Sequence, residues 1–168
     1  MGSDLSGEIV ATGEGVAGFR TGDPVWGFVD PFQQAAGTFA DFCALPAANV
    51  FLRPASLPAR EAAALACVGV TSVRLCDLGG VAAGSRVLVN GASGGVGHVA
   101  VQVAKARGAN VTAVASKERR DFVQSLGAGE FIDYRESPAS SWPDGFDAVF
   151  DCVPNLQRAL HRRLLAPG

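Results

Sequence analysis

One stretch, Ser85 to Lys105 (SRVLVNGASGGVGHVAVQVAK), constrains the chain more than any other, because an apolar run there becomes a glycine-rich turn and then an amphipathic helix. Val87, Leu88 and Val89 form an unbroken apolar run, the pattern of a parallel strand covered on both faces. From Val96 the apolar positions Val96, Val99, Ala100, Val103 and Ala104 recur at helical spacing, Gln102, Lys105 and Arg107 take the other side, and Gly108 closes the helix. The order is therefore strand, tight loop, helix. Gly94 would let the main chain come close to a pyrophosphate and Gly97 would let the helix sit tight on the strand, with the phosphates resting on N–H groups at the helix start. Ala92-Ser93-Gly94-Gly95-Val96-Gly97 is the dinucleotide fingerprint with alanine in place of its first glycine. A bare glycine pattern is weak evidence, its plain alternative being a mere tight turn; the strand before it, the helix after it and the length of the unit favour the nucleotide. His98 rather than a Lys follows the last glycine, which argues against a Walker loop.

The 168 residues suffice for one ordinary domain or parts of two. With 48% hydrophobic residues, 18% charged residues and a net charge of −2, the chain reads as globular and lacks the basic excess of a nucleic-acid binder. The longest apolar region, Ala62 to Val73, is too short to span a bilayer and is bounded by Glu61 and Arg74. Met1 opens directly onto Gly2-Ser3-Asp4, so no signal peptide is expected. Cys43, Cys67, Cys76 and Cys152 are scattered without a CxxC pair, which suits a reducing cytoplasm and argues against a structural zinc knot.

Along the chain, Gly7 to Thr12 reads as a short strand, glycine turns follow, and Gly22-Asp23-Pro24 leads into a strand from Val25 to Val29 that Pro31 ends. Thr38 to Leu45 alternates loosely around Phe39, Phe42 and Ala44, and Val50 to Leu52 adds a strand, giving a small antiparallel region. Pro54 and Pro58 mark a boundary between residues 1–54 and 55–168. Ala59 to Ala66 and Thr71 to Leu78 then read as two helices. Asn110 to Ala115 is a second buried strand, Ser116 an N-cap for a helix through Leu126, and Glu130 to Asp133 a third strand. Phe146 to Val153 is a fourth, and the last helix carries Leu156, Ala159, Leu160 and Leu164 on one face. This order predicts an α/β fold, a Rossmann-type doubly wound parallel sheet that is incomplete. Its uncovered edge strand is expected to be a template for association into a homo-oligomer.

The blocks GSDLSGEIVATGEGVAGFRTGDPVWG, GTFADFCALPAANV, EAAALACVGVTS, NGASGGVGHVAVQVAKARGANVTA, SLGAGEFIDY and LLAPG, in this order over nearly the whole chain, resemble the medium-chain dehydrogenase/reductase superfamily. The resemblance is to its zinc-independent, zeta-crystallin-like quinone oxidoreductase branch. It implies a GroES-like catalytic domain, here partial over residues 1–54, beside a Rossmann domain over residues 55–168, and reduction of quinones or α,β-unsaturated carbonyls by NADPH. Family members are roughly twice as long, so the chain is expected to be truncated at both ends. Zinc-dependent relatives place a His where this chain has Gly2-Ser3-Asp4, and Cys67 falls where they place another ligand; one thiol cannot supply three protein ligands. Cys67 reads instead as a small buried residue and His98 and His161 as helix residues, so no metal is expected. Pro154 stands where the family commonly has glycine, and would stiffen the nicotinamide side of the cleft.

An NAD-binding domain usually ends its second strand in an acidic residue. Here the strand ends Ala115-Ser116-Lys117, with Arg119 and Arg120 following, and a hydroxyl and a cation at that place favour NADPH. The alternative is that these cations are a solvated helix face. The resemblance adds Tyr134 against the same phosphate or ribose, and Thr71 near the nicotinamide carboxamide. Expected cofactor contacts are thus Thr71, Ser93, Gly94, Gly95, Val96, Ser116, Lys117 and Tyr134; no catalytic residue is assigned. A short-chain reductase would need a Tyr-x-x-x-Lys pair, but Pro138 lies four positions after Tyr134. Two rivals stay open: a truncated relative that binds NADPH or a partner chain without turnover, and an alcohol dehydrogenase working without zinc.

Overall fold

The structure, a computed structural model, describes residues 2–29 and 37–167. The chain divides into two compact units, Met1–Val70 and Thr71–Gly168.

The first unit holds a three-stranded antiparallel sheet in the order β1 (Asp4–Glu8), β2 (Pro24–Phe28), β3 (Val50–Leu52). The first strand lies earlier than the expected Gly7 to Thr12. Its register is set by β2, with Asp4 opposite Phe28 and Glu8 opposite Pro24, a residue that has no N–H to extend the ladder. Gly27 sits opposite Val50, where a Cβ would collide with the Asn49 carbonyl, so the strand needs glycine at its crossing with β3. Thr38 to Leu45 forms no strand. Phe39 and Phe42 are exposed, and alternation that buries no face fixes no register. Pro31, expected to end β2, lies outside the described residues.

The two helices expected between Ala59 and Leu78 are one continuous helix, α1 (Ala59–Leu78). A glycine inside a helix costs only about 1 kcal/mol against alanine. The alanine-rich turns before Gly69, Ala62 to Ala66, outweigh it and carry the helix on into Val70 to Leu78.

The second unit is a four-stranded parallel sheet in the order β6-β5-β4-β7, the doubly wound arrangement that the strand and helix order predicted. Its elements are β4 (Arg86–Asn90), α2 (Gly95–Ala106), β5 (Asn110–Ala115), α3 (Arg120–Ser125), β6 (Glu130–Asp133), β7 (Ala148–Asp151) and α4 (Arg158–Leu164). Both ends of the fourth strand are shorter than expected, and α4 begins at Arg158 rather than Leu156. A short 3-10 turn, Lys117–Arg119, precedes α3 where a single helix was expected.

The central strand β4 has a neighbour on each side, and Val87, Leu88 and Val89 have no exposed surface. Alternation sends Val87 and Val89 to one face with Ala100, Val101, Ala104 and Val123, and Leu88 to the other with Val114, Trp142, Phe146 and Leu164. The second face is roofed partly by the irregular segment around Trp142, whose indole N–H donates to the Ser137 carbonyl at 2.9 Å. Beside the start of β7, Phe146 and Leu165 form a parallel bridge: the Phe146 N–H donates to the Leu164 carbonyl at 3.0 Å and the Ala166 N–H to the Phe146 carbonyl at 2.8 Å. No helix among the described residues is long and apolar enough to cross a membrane.

Candidate functional site

At the carboxyl end of β4 the chain turns at Gly91, which has φ +75°, a conformation glycine adopts without strain. The N–H groups of Gly91 and Ala92 both donate to the Val114 carbonyl, at 3.1 and 3.0 Å, and the Gly94 N–H donates to the Gly91 carbonyl at 2.9 Å. The loop is thus tied to β5 at one end and to itself at the other. Helix α2 starts immediately afterwards, with Gly94 as an N-cap that makes no side-chain bond. A Cβ at Gly97 would collide with the Gly91 carbonyl, so this glycine lets the helix lie against the turn. A Cβ at Gly94 would stand 3.2 Å from the same oxygen, with no other neighbour within 4 Å. The first helical N–H groups, those of Gly95 and Val96, have no carbonyl behind them within the helix, and with the dipole they form a place for an anion. These residues fit a diphosphate on the observed backbone.

The loop opens into a cavity of about 930 Å³ at the carboxyl edge of the sheet, where β4 parts company with β5 on one side and β7 on the other. Open α/β sheets bind ligands at this switch point. Asn90, Gly91, Ser93 and Gly94 line it from β4, Ala115 and Tyr134 from the ends of β5 and β6, and Cys152, Val153 and Asn155 from the segment after β7. Leu156, Leu160 and Arg163 close the far wall. Of the residues expected to hold a cofactor, Ser93, Gly94 and Tyr134 line this space, Gly95 and Val96 begin α2 beside it, and Ser116 and Lys117 follow Ala115 at its rim. Thr71 lies in α1 and is not among the residues lining the cavity; the hydroxyl of its neighbour Ser72 donates to the Val96 carbonyl at 3.1 Å.

A polar clamp under the cavity escaped the sequence reading. Asn90, almost fully buried, uses its side-chain amide to donate to Asp151 Oδ1 at 2.8 Å and to Asn155 Oδ1 at 2.9 Å. Asp151 also accepts the N–H groups of Val153 and Leu156, and its Oδ2 lies 3.4 Å from His161 Nε2. The segment carrying Pro154 is therefore pinned to the end of β4 from several sides. Its members lie 61 and 65 residues from Asn90, and only the parallel pairing of β4 with β7 brings them together.

At the opposite rim, Asp133 is buried at the end of β6 and accepts the backbone N–H groups of Lys117 and Arg135, at 3.1 and 2.9 Å. It holds the turns after β5 and β6 together. No acidic side chain ends β5 itself, which stops at Ala115 and Ser116.

Ser3, Asp4 and Cys67 do not fit a zinc ion. Asp4 Oδ1 accepts the Cys67 backbone N–H at 2.6 Å and its Oδ2 accepts the Ser3 hydroxyl at 2.6 Å, so both carboxylate oxygens are engaged in structure. Among the described residues no group of three His, Cys, Asp or Glu side chains is placed to hold a metal ion. No disulfide joins the four cysteines. Burial, with the Asp151 carboxylate beside it, pushes the Cys152 thiol up to about 11, and burial also raises that of Cys76. At pH near 8 only about one Cys152 in a thousand is then a thiolate, the reactive form. Iodoacetamide followed by peptide mass spectrometry should label the exposed Cys43 first, with Cys76 and Cys152 slower by at least tenfold, on the order of the expected difference in thiolate and access.

Comparison with known proteins agrees with this fold. A family model described as zinc-binding dehydrogenase matches residues 95–167. The mouse mitochondrial NAD(P)H oxidoreductase RTN4IP1 is 42% identical over 139 residues, covering 80% of this chain and 35% of the relative. The chloroplast envelope quinone oxidoreductase homolog of Arabidopsis thaliana is 38% identical over 164 residues, covering 92% of this chain and 49% of the relative. The chain thus spans half or less of the length of these two relatives. Among solved structures, the quinone oxidoreductase from Coxiella burnetii superposes with a TM-score of 0.84 at 32% identity, over 91% of this chain and 48% of that one.

Proposed function

The chain belongs to the medium-chain dehydrogenase/reductase superfamily, among relatives named quinone oxidoreductases, and from that premise we propose that it is an NADPH-dependent oxidoreductase acting on a quinone or an α,β-unsaturated carbonyl. The observation that carries the reading is the glycine turn at the carboxyl end of β4, opening into a cavity at the switch point of a parallel sheet. The N–H groups of Gly95 and Val96 take the diphosphate, with Ser93 and Gly94 beside it. Ser116, Lys117 and Tyr134 take the 2′-phosphate and its ribose, in a rim where no β5 carboxylate repels it. Thr71 is assigned to the carboxamide side. When bound, the dihydronicotinamide would supply the hydride. The chain's own part is positional: the Asn90 clamp holds the segment from Cys152 to Leu156 as one wall of the crevice, and the apolar side chains of that wall keep water from the reacting pair. No side chain of this chain is assigned as a proton donor, and solvent completes the reduction. The four cysteines, outside any disulfide, suit a reducing compartment such as the cytoplasm.

Two measurements on the same preparation test the reading: NADPH binding followed by cofactor fluorescence, and NADPH consumption with 9,10-phenanthrenequinone. Quinone-dependent oxidation is the expected result. Binding without turnover over a panel of quinones and enones would instead make the chain a nucleotide-binding relative, and alcohol-dependent NADP⁺ reduction would make it an alcohol dehydrogenase working without zinc.

A further inference from the structure

Lys117, the cation expected to meet the 2′-phosphate, already has an anion, and so has Arg135 on the neighbouring turn. Lys117 Nζ lies 3.6 Å from Glu136 Oε1, and Arg135 Nη1 donates to Glu118 Oε1 at 2.9 Å. The two pairs cross between the turns after β5 and β6: the first turn gives a cation and the second its acid, then the roles reverse. Arg135 also lies over the ring of Tyr134, its guanidinium carbon 5.7 Å from the centroid, and so joins the cavity lining to the ion pairs.

We propose that Glu118 and Glu136 are resident anions that a cofactor's 2′-phosphate must displace, and that these two residues, with Arg135 as a second phosphate-facing cation, set how far the chain prefers NADPH to NADH. The role rests on the cofactor reading above. A phosphate carries more charge than a carboxylate and three acceptor oxygens, so it outcompetes either glutamate for Lys117 and Arg135. All four side chains are more than half exposed, so the pairs to be broken are weak ones. Once displaced, however, the glutamates stay close to the phosphate as like charges. The Glu118 backbone N–H first, then the Ser116 hydroxyl and Arg135, keep its carboxyl below the usual range. NADH brings only a 2′-hydroxyl to this place and displaces nothing. The resident anions therefore lower affinity for NADPH alone, and the chain discriminates less than its count of cations suggests.

The test is titration of the full chain with NADPH and with NADH, comparing the unaltered protein, Glu118→Gln, Glu136→Gln, the double variant and Lys117→Ala. Each single glutamine variant should tighten NADPH about threefold and the double variant about tenfold, the scale of an exposed ion pair. NADH should change less than about twofold, and the NADPH gain should shrink in high salt. Glutamine keeps the size of an exposed side chain, and an unchanged circular dichroism melt would confirm the fold. No gain for NADPH, a loss, or an equal gain for both cofactors overturns the proposal. If Lys117→Ala weakens NADPH selectively while the glutamine variants are inert, this inference fails alone. If neither cofactor binds, or Lys117→Ala weakens both equally, the cofactor reading fails and takes this inference with it.

Discussion

The Gly97→Ala variant is expected to lose about 2–3 kcal/mol of stability, the upper range for forcing one methyl into a filled site. The added Cβ would meet three backbone atoms, the carbonyl oxygen and carbon of Gly91 and the Cα of Ala92, and none of them is the end of a flexible side chain that could swing away. Relief requires α2 to move off the turn, and Val99, Ala100, Val101 and Ala104 are buried on the helix face that would have to move. Urea unfolding of the second unit, followed by a probe within it, should show the midpoint falling with little change in slope. Gly94→Ala provides the contrast. Its Cβ has a single neighbour at 3.2 Å, so the fold should persist within about 1 kcal/mol. NADPH affinity should nevertheless fall at least tenfold, because the methyl occupies the approach a diphosphate needs. Equal stability of Gly97→Ala and the unaltered chain would refute the packing role given to this glycine.

Lys117→Ala should weaken NADPH by about tenfold or more, the scale of one hydrogen bond to a charged group, while leaving NADH within about twofold. The change removes a cation and also leaves Glu136 without its partner, so the phosphate would then face an uncompensated carboxylate. Adding Glu136→Gln to Lys117→Ala should therefore restore part of the loss. The pair should couple in a double-mutant cycle, as residues in contact do. Equal losses for the two cofactors would remove the basis for choosing NADPH.

Much of the second unit was legible because its signals are local. The apolar run of β4, the helical spacing of α2 and the bounds of β5 and β6 all follow from short-range periodicity, and the structure places β5 and β6 at the residues the sequence predicted. Ala59 to Ala66 and Thr71 to Leu78 read as two helices where the structure has one, because local pattern alone does not show that the alanine-rich turns carry the helix past Gly69. Alternation over Thr38 to Leu45 makes no strand because none of these residues is buried. In the candidate site, the glycine turn could be read from its own residues. The Asn90 clamp could not, since no short motif links Asn90 to Asp151, Asn155 and His161. Nor could the crossed ion pairs at the rim, which depend on β5 and β6 being neighbours; the sequence offers Lys117, Arg119 and Arg120 as cations for a 2′-phosphate, or as a solvated helix face, without showing Glu136 beside Lys117.

The position of β4 between β5 and β7 also governs the order in which this unit can assemble. Pairing with β5 closes a short segment of chain, whereas pairing with β7 joins residues 61 apart and incurs a larger loop-closure entropy. A nascent or refolding chain can therefore form the strand, turn and helix early, yet its nucleotide cradle gains a second wall only when the distant strand arrives. Maturation of the crevice is tied to the slowest contact in the sheet, and binding competence should trail helix formation in time.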